Sequence, residues 1–294
     1  MRFEGRLRLL LVPYAAGVIV LVVAPAALAF GLAFFHADAL SSPRFAGLVN
    51  FRLAFLDELF RLSVSNTLAL VLLPVPLRVG GAFLLARLLR RDGRFVWPAR
   101  AVVLLPSAIP AAAFALAWLW ILNPLYGPLN RLLEAAGLNG PGWLADPLWA
   151  KPGVALVLLW AVAEGFLVCL AALHDVPQEV EDAAAVDGAG TWPALRHILL
   201  PLMAPVLLLL SLRDAILLLG ESYTMISFLT QGGPYYATYT LPQFVNEQAF
   251  DRYAFGVASA ALLALYALTG VVVVVVLLVA RAWRVGLTEE DFLL

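Results

Sequence analysis

The chain has 294 residues, 63% of them apolar and only 13% charged, with a net charge of −1. Ordinary soluble domains carry roughly 45–50% apolar and about 25% charged residues, so a water-soluble globule is excluded and an integral membrane protein is implied. The lack of a basic excess argues against nucleic-acid binding, and the single cysteine, Cys169, excludes an internal disulfide or a thiolate cluster.

In chain order, Arg2, Arg6 and Arg8 precede an uncharged stretch, Leu9–Phe35. Ala37-Asp38-Ala39 faintly imitates a cleavage site, but the stretch far exceeds the roughly 7–15 apolar residues of a signal peptide. It is expected to stay as a first span. Five further segments reach or approach the length of about 20 apolar residues that crosses a bilayer: 62–88, 101–122, 152–173, 201–226 and 254–280. Six spans put both termini on one side. That side also holds Arg90, Arg91, Arg94, Arg100, Arg196, Arg281 and Arg284. The other side holds Arg44, Arg52, Arg61, Arg131, Lys151 and Arg252. The bias makes the termini cytoplasmic and segments 36–61, 123–151 and 227–253 external. Trp143, Trp149, Tyr235, Tyr236 and Tyr239 then suit the membrane interface, as do Trp118 and Trp120 near the outer end of the third span. The run Val271–Val276 reads as lipid-facing or helix-packing bulk.

Three spans carry charge: Arg78 in the second, Glu164 in the fourth, and Arg213, Asp214 and Glu221 in the fifth. Each costs about 2.5–3.5 kcal/mol at a helix centre, so each requires a partner or a wet cavity. Asp214 and Glu221 are seven residues apart and share a helical face with Leu218 and Met225, while Arg213 points aside, toward Glu164. Two readings stand: Glu164, Arg213, Asp214 and Glu221 line a polar path through the membrane and bond polar groups there, or they form structural ion pairs. Arg78 is expected to snorkel or pair internally, and Arg87 lies near a span end, where an arginine needs no further account.

The connection between the fourth and fifth spans runs from Val176-Pro177-Gln178-Glu179-Val180-Glu181-Asp182 through Ala183-Ala184-Ala185-Val186-Asp187-Gly188-Ala189-Gly190. It reads as a short helix with Pro177 and acidic residues at its positive end, followed by a turn that uses the freedom of Gly188 and Gly190. Ala183–Ala185 leaves a face another protein can approach closely. The stretch resembles the coupling loop of type I permeases of binding-protein-dependent ABC importers, whose pattern is E-A-A, a spaced glycine, then I-x-L-P. The match falls on Asp182-Ala183-Ala184, Gly188 and Ile198-Leu199-Leu200-Pro201. Asp182 replaces the usual Glu, one methylene shorter, which would shift an ion pair with the ATPase to Glu181. Asn123-Pro124-Leu125-Tyr126-Gly127-Pro128-Leu129-Asn130, Trp143-Leu144-Ala145-Asp146-Pro147 and Thr230-Gln231-Gly232-Gly233-Pro234 are similar to outer loops of the carbohydrate-uptake branch.

The resemblance covers about residues 60–282 and implies an all-α membrane protein of six transmembrane helices. Its parts are a first helix and outer segment (1–60), the permease domain (61–282, coupling loop 177–201) and a cytoplasmic tail (283–294). It implies an ATPase dimer docked on Glu181, Asp182, Ala183, Ala184, Asp187, Gly188, Ala189 and Gly190. It further implies a second permease subunit, an external solute-binding protein, and a solute of the sugar class, with another small solute such as an amino acid or polyamine as the alternative. ATP and Mg would sit on the ATPase and no cofactor on this chain. Consistently, a phosphate-binding G-x-x-x-x-G-K-[ST] loop is missing, because the only lysine, Lys151, lies between Ala150 and Pro152. His36, His174 and His197 have no metal-ligand spacing, and no catalytic set supports a membrane enzyme. An ion-driven secondary transporter would show an inverted repeat; Pro74, Pro76, Pro106 and Pro110 break helices without one.

Overall fold

A computed structural model describes residues 11–282, except for the side chain of Glu221. Arg2, Arg6, Arg8, Arg284 and the tail 283–294 lie outside the described residues. Four helices are long and apolar enough to cross a membrane: Leu11–Leu32, Glu58–Leu88, Thr191–Gly220 and Phe255–Ala282. Two further helix pairs qualify only when each is taken as one bent span. The six expected spans are therefore present, but the third and fourth are broken.

The first compact unit comprises residues up to 64 together with 241–267. Helix α1 (Leu11–Leu32) leads into a minimal antiparallel pair, β1 (Phe35–His36) and β2 (Arg44–Phe45), and then α2 (Val49–Leu56). Asp38 Oδ1 accepts the N–H groups of Leu40 (2.9 Å) and Ser41 (2.6 Å), which hold its carboxyl below the usual carboxylate range. Buried Asn50 on α2 donates to the carbonyls of Ala33 (2.9 Å) and Phe35 (2.8 Å). A side chain at Gly256 would collide with Phe35 and Asn50, so glycine is required where the last helix passes this turn.

The second unit, 65–240 with 268 onward, holds the charged residues of interest. Helix α3 (Glu58–Leu72) continues into α4 (Pro74–Leu88); Pro74 at the first position needs no N–H partner there. Next come α5 (Val96–Leu104) with its 3-10 extension Leu105–Ala108, then α6 (Ala111–Ile121), turned by 108°. Ile109 and Pro110 are extended at the bend (ψ 126° and 141°), the conformation forced on a residue before proline and allowed to proline itself. Helix α7 (Pro128–Ala135) lies in the connection that follows. Helix α8 (Pro147–Trp160) is capped by Asp146, whose Oδ1 accepts the Leu148 N–H at 2.8 Å. It meets α9 (Ala163–Asp175) at a 46° bend. Helix α10 (Gln178–Val186) is followed by α11 (Leu200–Leu229), which is entered through Thr191–Ala194 and a π turn, Leu195–Leu199.

Helices α4, α9 and α11 form the tightest core, with Ala82, Phe83, Ala86, Phe166, Cys169 and Met203 buried together. Without a hydrophobic drive between helices in lipid, small residues that permit close approach decide such packing. Gly165 provides it: a Cβ there would lie only 3.2 Å from that of Ala82.

The aromatic expectations are revised. Trp118 is not an interface anchor but buried, edge-on to Phe114 and Trp160 with ring centroids 6.2 and 5.7 Å away. Tyr239 is buried as well, whereas Trp120 and Tyr235 are exposed. Trp143 donates its indole N–H to Asn130 (2.7 Å), whose amide binds the carbonyls of Pro124 and Pro141.

Candidate functional site

The helix breaks matter because of what they face. A cavity of about 460 Å³ is lined by the α5–α6 bend (Pro106, Ser107, Ile109), the α8–α9 bend (Leu158, Ala161, Ala163) and one face of α11. Non-helical backbone at membrane depth is tolerated where it lines a water-filled cavity, since unpaired N–H and C=O groups cannot face lipid. Both breaks line one cavity, at one place.

The membrane charges converge on the same cavity. Arg78 Nε lies 3.2 Å from Asp214 Oδ2, and Arg213 donates to Asp214 Oδ1 at 3.1 Å. Arg213 also pairs with Glu164. The result is a ladder of alternating sign, Arg78–Asp214–Arg213–Glu164, that grades from buried to exposed. Asp214 is 4% exposed and Arg78 11%, while Arg213 is 40% and Glu164 59% exposed. The expected meeting of Arg213 with Glu164 is present. Arg78 does pair internally, with Asp214, a partnership that spacing along one helix could not show. Leu218 and Met225 line the cavity as their shared stripe with Asp214 requires, but Asp214 itself faces Arg78 and is not among the lining residues. Glu221 lies on α11, its side chain outside the described residues.

Ser222, one turn beyond Leu218, was missed by sequence reasoning. Its hydroxyl is buried, lines the cavity and has no hydrogen-bond partner among the described residues. An unsatisfied buried hydroxyl costs about 1–3 kcal/mol. A serine in an apolar run carries no signal of this by itself; only its position on the Leu218–Met225 face does.

The connection 176–199 forms the second candidate. Helix α10 ends in a Schellman motif: the Ala189 N–H bonds to the Ala184 carbonyl (2.9 Å) and the Gly188 N–H to that of Ala185 (3.1 Å). Gly188 takes the left-handed conformation this needs, φ +77°, with open space where a Cβ would point. Gly190 is different: its φ of −69° and ψ of 171° suit any residue, so the expected need for glycine there is not met. Asp182, Ala183, Ala185, Val186 and Asp187 are exposed, Ala189 is half-buried and Ala184 is buried.

Glu181 is bound within this chain, pairing with Arg90 and with Arg87 (3.3 Å). The sequence placed Glu181 and Asp182 on one surface, yet adjacent helical positions point about 100° apart. Among the described residues no three His, Cys, Asp or Glu side chains are grouped to hold a metal ion.

Broken apolar helices folded around a charged cavity suit a membrane transport subunit. Residues 78–285 match the family described as binding-protein-dependent transport system inner membrane component, and the chain belongs to that family. It is 30% identical over 279 residues to the sulfoquinovosyl glycerol transport system permease protein of Agrobacterium fabrum, covering 93% of this chain and 89% of that protein. It is 31% identical over 256 residues to the trehalose/maltose transport system permease protein of Thermococcus litoralis, covering 84% and 83%. The fold matches a chain of a bacterial alginate ABC transporter, solved in complex with alginate pentasaccharide-bound periplasmic protein, with a TM-score of 0.80 over 96% of each chain at 21% identity.

Proposed function

We propose that this permease imports a sugar or sugar-like solute, and that the cavity between the two helix bends is its share of the path. The observation that carries the reading is the exposed end of the charge ladder at that cavity, Arg213 with Glu164, beside the Ser222 hydroxyl, which has no partner among the described residues. A sugar presents hydroxyls that both donate and accept, and this set offers guanidinium donors, carboxylate acceptors and a hydroxyl of either sense. The two named permease relatives serve systems for sulfoquinovosyl glycerol and for trehalose and maltose, all polyhydroxylated glycosides.

Energy comes from a partner ATPase dimer that binds ATP and Mg, docked on the exposed face of α10 and its turn: Asp182, Ala183, Asp187 and Gly188. Both termini and this loop lie in the cytoplasm. The segments 36–61, 123–151 and 227–253 face outward toward a solute-binding protein, and a second permease completes the path. The test is uptake in vesicles carrying the whole transporter, with radiolabelled trehalose, maltose and glyceryl glycosides set against amino acids and polyamines. Glycoside uptake that falls about tenfold in Ser222→Ala, while the binding protein's own affinity is unchanged, supports both solute class and path. Uptake of an amino acid or polyamine alone would refute the solute class, and uptake indifferent to Ser222 and Glu164 would refute the path.

A further inference from the structure

The pairing of Glu181 has a mechanical consequence. Arg90 holds α10 at two points, donating to the Glu181 carboxylate and, at 2.8 Å, to the carbonyl of Val176 just before the helix. Arg87 reaches the same carboxylate from the last turn of α4. Arg100 on α5 closes the circuit by donating to the carbonyls of Leu89 (2.7 Å) and Arg90 (3.0 Å). The four side chains are mostly withdrawn from solvent, between 16% and 25% exposed, so salt screens them less than surface pairs. Helix α10 is thus fastened to the junction of α4 with α5. Helix α4 carries Arg78 of the charge ladder, and α5 runs into the bend that lines the cavity.

We propose that Glu181, Arg87, Arg90 and Arg100 form a clamp that transmits displacement of α10 to the α5–α6 bend, with Glu181 as a positioning residue and not an ATPase contact. The proposal rests on the reading of α10 as the ATPase-facing element and of the cavity as the path. An element tied at one point pivots freely; one tied at Glu181 and Val176 together must carry the α4–α5 junction with it. Two arginines on one carboxylate keep that tie through a partial opening, since either can hold while the other shifts.

The experiment uses the complete transporter in vesicles with Ser107→Cys, which puts an exposed thiol at the cavity-lining bend while buried Cys169 stays in place. The probe is a membrane-impermeant maleimide, and the readout is its labelling rate without nucleotide and after trapping with ATP and vanadate. With Glu181 intact the rate should change about tenfold, as a coupling free energy of ordinary size gives. Glu181→Gln should keep the ATPase bound and hydrolysing while that change disappears. Arg90→Glu with Glu181→Arg should recover it where Glu181→Arg alone does not, which keeps the test sharp should Glu181→Gln assemble poorly. A nucleotide response that persists in Glu181→Gln, or a swap no better than the single reversal, overturns the clamp. Loss of ATPase co-purification in Glu181→Gln overturns it too, by making Glu181 a direct contact. Labelling that ignores nucleotide even with Glu181 intact refutes the path reading itself, and the clamp with it.

Discussion

Asp214 and Glu164 are both carboxylates on the charge ladder, but their surroundings assign them opposite roles. Removing one partner of a buried pair strands the other charge, at a cost of about 3–5 kcal/mol. Asp214→Ala strands Arg78 and should lower thermal stability of the detergent-purified protein by that amount, with loss of accumulation in the membrane. Glu164 is more than half exposed and Arg213 less buried than Arg78, so removing Glu164 strands no fully buried charge. Glu164→Ala should cost less than about 1 kcal/mol in the same melt while slowing uptake. Equal melting losses for the two would contradict the buried-to-exposed grading. At Gly188 the left-handed backbone sets the scale: a residue with a Cβ costs about 1–2 kcal/mol there, and Asn is the least penalised. Gly188→Asn should assemble with the ATPase, whereas Gly188→Leu should lose substrate-stimulated ATP hydrolysis or co-purification. Open space beside Gly188 means that a failure of Leu beyond this backbone cost arises from the partner and not from a clash within the chain.

At the level of elements, Gly165 fixes how closely α9 approaches α4. Gly165→Leu forces a branched side chain against Ala82 and should cost about 1–3 kcal/mol, read as a lower melting temperature with insertion intact. The existence of the six apolar segments was legible because composition alone demands lipid burial. Their continuity was not. Pro106 and Pro110 mark the third segment as breakable, yet proline is equally compatible with an unbroken helix: Pro152 sits inside α8 without interrupting it. The α8–α9 bend at Ala161–Val162 has neither glycine nor proline, so nothing local announces it; packing on both sides holds it. Glycine served better. Gly188, following a helical stretch with small residues, was legible as a helix stop, although Gly190 in the same stretch was not needed as glycine. The partners of Arg78 and Glu181 were hidden because each pair joins elements far apart in sequence, where spacing carries no information.

For the whole molecule, the six-span arrangement makes a compartment prediction. Reporters fused after Gly188 and after Asn139 should fall on opposite sides of the membrane, the first in the cytoplasm; the same compartment for both would refute the arrangement. The charge ladder also bears on how the chain is made. Arg78 leaves the ribosome first, and its partner Asp214 follows 136 residues later, from position 78 to position 214. At about 5–20 residues per second, that delay is on the order of ten seconds. During this interval the nascent α4 holds an arginine with no counter-ion of its own fold beside it. Nascent helix α4 must either sit shallow, with Arg78 reaching for headgroups, or wait beside the insertion machinery until α11 emerges. Chains arrested near residue 200 should therefore be extracted from membranes more readily than those arrested beyond 230, making the end of α11 the point at which the growing permease becomes committed to the bilayer.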